Sequence, residues 1–223
     1  MASSSTLAEA SVSTRDDGAL VPGEMIRAVR RHDAHAIHLI DDASPGAVNE
    51  IVEGESPMVV AARLGQCDTL DLLYSLGADP GLVVDEDGTT PLFALVAECP
   101  PRLRQPCLAL LLGWGGVVID GMCDLQTPLE YIGQLGGAQT RIDPGDMATI
   151  KTLIKYGAHV GQGTVMNRDT RDRIVTWAEG EIDSGLHPVE VATRLKRCHR
   201  VLETEREWDR RCCYAESDVC LLA

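Results

Sequence analysis

ESPMVVAA, residues 55–62, sets a hydroxyl residue and a proline in front of an apolar run, and the same signal returns as GTTPLFAL (88–95) and LQTPLEYI (125–132). The three prolines, Pro57, Pro91 and Pro128, stand 34 and 37 residues apart. Proline in the first turn of a helix loses nothing, because the N–H it lacks would have had no partner there. The residue before it, Ser56, Thr90 or Thr127, is of the type that caps a helix through its side-chain oxygen. Three helices starting at these prolines are expected, at a spacing that marks an internal repeat.

Working outward, each start is followed by a second apolar stretch that closes on glycine: LLYSLGAD (72–79), LLLGWGGV (110–117) and TLIKYGAH (152–159). Gly77, Gly115 and Gly157 are the expected left-handed stops of second helices. In the last of these, Met147, Ile150, Leu153 and Ile154 mark one buried face, with Asp143-Pro144 or Asp146 as the start. Upstream, residues 24–42 place Ile26, Val29, Ile37 and Ile40 in comparable helix-turn-helix positions without the hydroxyl-proline start, as an N-terminal capping repeat would. The distance from proline to glycine lengthens along the chain, which places insertions at 98–106 and 136–146, expected as surface loops.

These residues resemble the ankyrin-repeat family, whose units run from a T-P-L-H-x-A start through a helix pair to a Gly-Ala ahead of a β-hairpin finger. The resemblance is carried by Ser56-Pro57, Thr90-Pro91, Thr127-Pro128, Gly77-Ala78, Gly157-Ala158 and, in the first finger, Val48-Asn49. The family's histidine is replaced by Val59, Phe93 and Glu130, and only Ala61 keeps the usual alanine. What the resemblance implies is an all-α ankyrin-repeat solenoid of about four repeats with short hairpin fingers. It would occupy residues 21–160, behind a leader at 1–20 that is rich in Ser, Ala and Thr. Residues 161–211 read as a helical cap, in which Val191, Leu195, Cys198 and Leu202 form a narrow apolar stripe. Residues 212–223 read as a flexible tail.

Composition limits what such a chain can contact. Among 223 residues, 34 are acidic and 20 basic, a formal charge of −14 that repels nucleic-acid backbones and bare anionic membranes. A basic protein partner suits that charge, met by a monomer. The eight cysteines form no C-x-x-C pair, no signal-peptide core precedes the repeats, and no apolar run is long enough to span a bilayer. Reduced thiols in a cytoplasmic protein are the expectation.

The resemblance implies a non-catalytic adaptor or scaffold, and the charge pattern says where it would bind. Glu50, Glu53 and Glu55 fall in the first finger, Asp79, Asp85, Glu86 and Asp87 in the second, and Asp120 and Asp124 in the third. Arg30, Arg63 and Gln66, near first-helix ends, are further contact candidates. Cys220-Leu221-Leu222-Ala223 fits a prenylation box, and Cys212 and Cys213 could take acyl chains, which would put the adaptor on the cytosolic face of a membrane. No catalytic or metal site is expected, and no cofactor. Three histidines, His32, His35 and His38, sit at steps of three that do not converge on one point of a helix. The competing reading is an enzyme, or an enzyme's regulatory subunit, that uses a reactive cysteine or the two insertions.

Overall fold

The structure is a computed structural model that describes residues 21–135, 143–161 and 166–219, with side chains as far as residue 207. The expected leader at 1–20 and most of the 136–146 insertion lie outside the described residues. Among the described residues the chain is all-helical, with ten α-helices, one 3-10 turn at Ala47–Asn49 and no strand. It divides into two compact units, Met1–Val117 and Val118–Ala223. The third hydroxyl-proline helix therefore shares a unit with the C-terminal helices, although one repeat domain was expected to run to residue 160.

In the first unit, α1 (Glu24–Arg30) and α2 (Ala34–Ala43) are followed by α3 (Pro57–Leu64), α4 (Cys67–Ser75), α5 (Pro91–Glu98) and α6 (Pro101–Gly113). The Ser56 hydroxyl accepts from the Val59 amide at 3.3 Å and the Thr90 hydroxyl from the Phe93 amide at 3.2 Å. Each proline occupies the first turn, as expected. Helix α3 packs on α1 and α5, while α4 packs on α3 and α6 and α5 on α6. Met58, Val59, Leu70, Leu73, Leu92, Leu95, Leu108 and Leu111 are fully buried between them. Burial of a side chain of this size stabilises by about 1.5–3 kcal/mol, so this row of apolar residues is what holds the helix pairs together.

The 98–106 segment is not the loop expected for it. Pro101 sits in the first turn of α6, and the amides of Leu103 and Arg104 bond back to the Pro100 carbonyl. Pro101 is tolerated because it opens the helix, whereas Pro106 stands inside α6. The stop of α6 also differs: the left-handed glycine is Gly116 at φ +89°, not Gly115. Gly77 and Gly157 do adopt the left-handed conformation, at φ +90° and +115°.

In the second unit, α7 (Pro128–Gln134) starts on a reciprocal cap. Thr127 accepts from the Glu130 amide at 3.2 Å, and Glu130 accepts from the Thr127 amide at 3.0 Å. Then follow α8 (Pro144–Tyr156), α9 (Arg168–Ser184) and α10 (Val189–Val219). Helix α7 contacts α8 and α9, and α10 lies along α9 and α8. The stripe on α10 is the reason: Leu195, Cys198 and Leu202 are buried, with Val191 half-buried. The α10 backbone runs on to Val219, so residues 212–219 of the expected flexible tail are helical.

Two further expectations change. The fingers are tight turns, two of them with isolated antiparallel bridges, Val52 to Glu55 and Cys123 to Gln126, in place of β-hairpins. Nor are all eight thiols reduced: Cys67 at the start of α4 is bonded to Cys107 in α6, with Cα atoms 4.9 Å apart.

Candidate docking surface

Each hydroxyl-proline helix is preceded by a turn that reverses the chain in a few residues. In the first, Glu53 and Gly54 both have positive φ, +54° and +75°, between the mutual backbone bonds of Val52 and Glu55. In the third, Asp124 and Leu125 repeat this geometry at +50° and +64° between Cys123 and Gln126. Consecutive left-handed residues are the signature of a two-residue turn whose twist suits antiparallel flanks. The second turn is longer, closed by the Val84 amide on the Thr89 carbonyl at 3.0 Å, with Gly88 left-handed.

These turns decide which acidic residues face solvent. Glu53, Asp85, Glu86, Asp87 and Asp124 are exposed. Asp85 also has an internal role, accepting from the Thr89 amide at 2.8 Å. Burial pushes its carboxyl up, but bonds from the Thr89 side chain and from the Thr89, Gly88 and Asp87 amides outweigh that and hold it below its ordinary value. Asp120 is exposed and accepts from the His159 amide at 2.9 Å. Asn49 does the same work in the first unit, accepting from the Asp79 amide at 2.8 Å and donating to the Gly77 carbonyl at 3.0 Å. Finger residues thus tie one turn to the next through side-chain bonds to backbone.

Glu55, expected among the free acidic tips, is engaged inside the molecule. Its carboxylate takes Arg30 on one side and Arg63, at 2.5 Å, on the other, and Arg63 continues to Glu98 at 2.7 Å. The guanidinium of Arg63 is partly desolvated, which lowers its pKa, yet its bonds to Glu98 and Glu55 win and raise it. Arg30, Glu55, Arg63 and Glu98 therefore form a ladder of alternating charge linking α1, α3 and α5. Gln66 is half-buried at the start of α4, its carbonyl oxygen without a hydrogen-bond partner.

An aromatic pair that charge patterning could not reveal lies in the same unit. Tyr74 and Trp114 stack with ring centroids 4.2 Å apart and planes within 6°, and Tyr74 is 37% exposed. Both sit just ahead of the glycine stops of second helices, in LLYSLG and LLLGWGG, and that shared position was the signal available in the sequence. Partly exposed Tyr and Trp are the side chains most often found to anchor protein interfaces.

Among the described side chains the free thiols give little to a nucleophile. Cys99, Cys123 and Cys198 are buried. Burial pushes Cys198 up to about 12 and Cys99 upward too, the latter partly offset by Arg104. A thiol so held stays protonated and unreactive at neutral pH. Cys220 lies outside the described residues, as do the side chains of Cys212 and Cys213. His32 turns the chain between α1 and α2 at φ +56° with Nδ1 3.0 Å from the Thr69 hydroxyl, while His35 and His38 are exposed. No helix among the described residues is long and apolar enough to cross a membrane.

No protein-family model matches this chain, and no curated protein matches it either.

Proposed function

We propose that the chain is an ankyrin-type repeat protein that acts as a non-catalytic docking module for a protein partner with a basic segment. The observation that carries this reading is the threefold recurrence of one local device: a tight turn bearing exposed acidic residues, then a Ser or Thr cap, then proline at the head of a buried helix. In the first unit the pairwise packing of α3 on α1 and α5, and of α4 on α6, is what stacked helix pairs require. Pre-ordered turns lose little conformational entropy when a partner docks, and like charge on them steers a basic segment into place. Glu53, Glu86 and Asp87 of the first unit carry that steering, with Tyr74 and Trp114 of the same unit as the apolar anchor. The buried, protonated thiols weigh against a cysteine enzyme.

Location is part of the proposal: a cytoplasmic protein, held at a membrane if Cys220 is prenylated. Intact mass and detergent partitioning of wild type against Cys220→Ser test this, and identical results end it. Docking is tested by affinity capture with wild type and a Glu86→Ser/Asp87→Ser variant, which leaves the turn-forming Asp85 in place. A basic protein recovered by wild type and depleted with the variant is expected, and equal recovery at low salt overturns the reading.

A further inference from the structure

On the second unit, α9 and α10 bring together three side chains that could ligate a metal ion. Glu179 on α9 and His199 and Glu203 on α10 place one donor atom each within 4.8 Å of one another. His199 and Glu203 are four residues apart on one helix and so share a face, and burial of Leu195, Cys198 and Leu202 against α9 turns that face toward Glu179. His199 Nε2 stands 3.1 Å from Glu179 Oε1. Two ligands bound to one zinc ion at about 2.0–2.1 Å in a tetrahedron are roughly 3.3 Å apart, so this pair already has the separation that a shared ion imposes.

The surroundings favour a cation. The three donors line an open cavity of about 660 Å³ with Asp183 and Glu207, so four carboxylates face one histidine and two cations, Lys196 and Arg200. Glu203 also accepts from Arg206 at 3.3 Å, and Arg206 continues to Asp172 at 3.1 Å, which orients the Glu203 carboxylate from behind. A ligating group held by an outer partner in this way is the usual support of a metal site. Imidazole among the donors selects against magnesium and calcium and for a first-row transition ion.

We propose that Glu179, His199 and Glu203 bind a divalent transition cation of the zinc class, which pins α10 onto α9. Three protein ligands leave the remaining position to water. Glu179 is half exposed, which leaves its carboxylate room to turn onto an ion. Because the ion binds the folded helix pair and not the separated helices, it raises thermal stability.

The test is titration of chelator-stripped full-length protein with zinc chloride, comparing wild type with His199→Ala, Glu203→Gln and a His35→Ala/His38→Ala control. Wild type and the control are expected to bind one ion per chain and to gain melting temperature. His199→Ala and Glu203→Gln should retain their helical circular dichroism but bind at least about tenfold more weakly and lose the gain. Zinc-edge X-ray absorption of the loaded wild type should show only nitrogen and oxygen neighbours near 2.0–2.1 Å. Undetectable binding, equal affinity in wild type and His199→Ala, or sulfur neighbours at about 2.3 Å would overturn the proposal.

Discussion

Two glycine-to-alanine substitutions in the first unit should differ by an amount the structure sets. Gly65, the left-handed stop of α3 at φ +68°, lies against α6: a methyl group there would meet Leu103 Cβ at 2.8 Å and Cys99 Sγ at 2.9 Å. Gly77 is as left-handed, at φ +90°, but a methyl group there meets nothing within 4 Å. Forcing alanine into the left-handed region costs roughly 1–2 kcal/mol, part of it recovered because alanine restricts the unfolded chain. Gly77→Ala should lose about 1 kcal/mol on that ground alone. Gly65→Ala adds the cost of crowding the buried Cys99 and the half-exposed Leu103, about 1–3 kcal/mol, for a total near 2–4 kcal/mol. Urea unfolding followed by far-ultraviolet circular dichroism measures both. A Gly65→Ala loss no larger than that of Gly77→Ala would refute the close approach of the α3 stop to α6, and with it the packing of one helix pair on the next.

Removal of the cap hydroxyls, Ser56→Ala or Thr90→Ala, should each lose about 1–2 kcal/mol in the same assay, since both side chains are buried and leave an amide without its acceptor. Leu125→Gly should raise stability by up to about 1 kcal/mol, because Leu125 is 86% exposed and left-handed at φ +64°; a loss would contradict the turn geometry. Asp85 has a folded-state pKa below its ordinary 3.8, so its contribution is present above that value and fades as pH falls through the lower, folded one. The stability gap between wild type and Asp85→Asn should therefore narrow as pH drops below about 4, and a gap independent of pH would count against the Thr89 bond. Closing a loop across the 40 residues between Cys67 and Cys107 restricts the unfolded chain by about 4 kcal/mol. Reduction or Cys67→Ser should lower the urea midpoint accordingly. Alkylation in denaturant without reductant should spare these two cysteines, and their labelling would show that the bond is absent.

What could be read from sequence was local. Ser56-Pro57, Thr90-Pro91 and Thr127-Pro128 announce helix starts because cap and proline act within one turn, and Gly77 and Gly157 announce stops for the same reason. The Thr127-x-x-Glu130 reciprocal cap was equally local and could have been read directly. Misreadings came where two local signals competed. The longer proline-to-glycine distance suggested a loop at 98–106, yet the first-turn Pro101 starts α6 there, and in the pair Gly115-Gly116 only the second is left-handed. Long-range partners were illegible. Nothing in the spacing says that Glu55 meets Arg30 and Arg63, that Cys67 meets Cys107, or that Glu179 meets His199. Glu55 thus passed for a free acidic tip, and the neighbour of His199 lay on another helix.

The docking role is tested most directly by the affinity of the captured, purified basic partner for wild type and for Glu86→Ser/Asp87→Ser, at about 50 mM and about 300 mM salt. Wild type should bind at least about tenfold more tightly than the variant at low salt, with the difference shrinking at high salt as the steering charges are screened. Equal affinities at both salt concentrations would contradict a function built on the acidic turns.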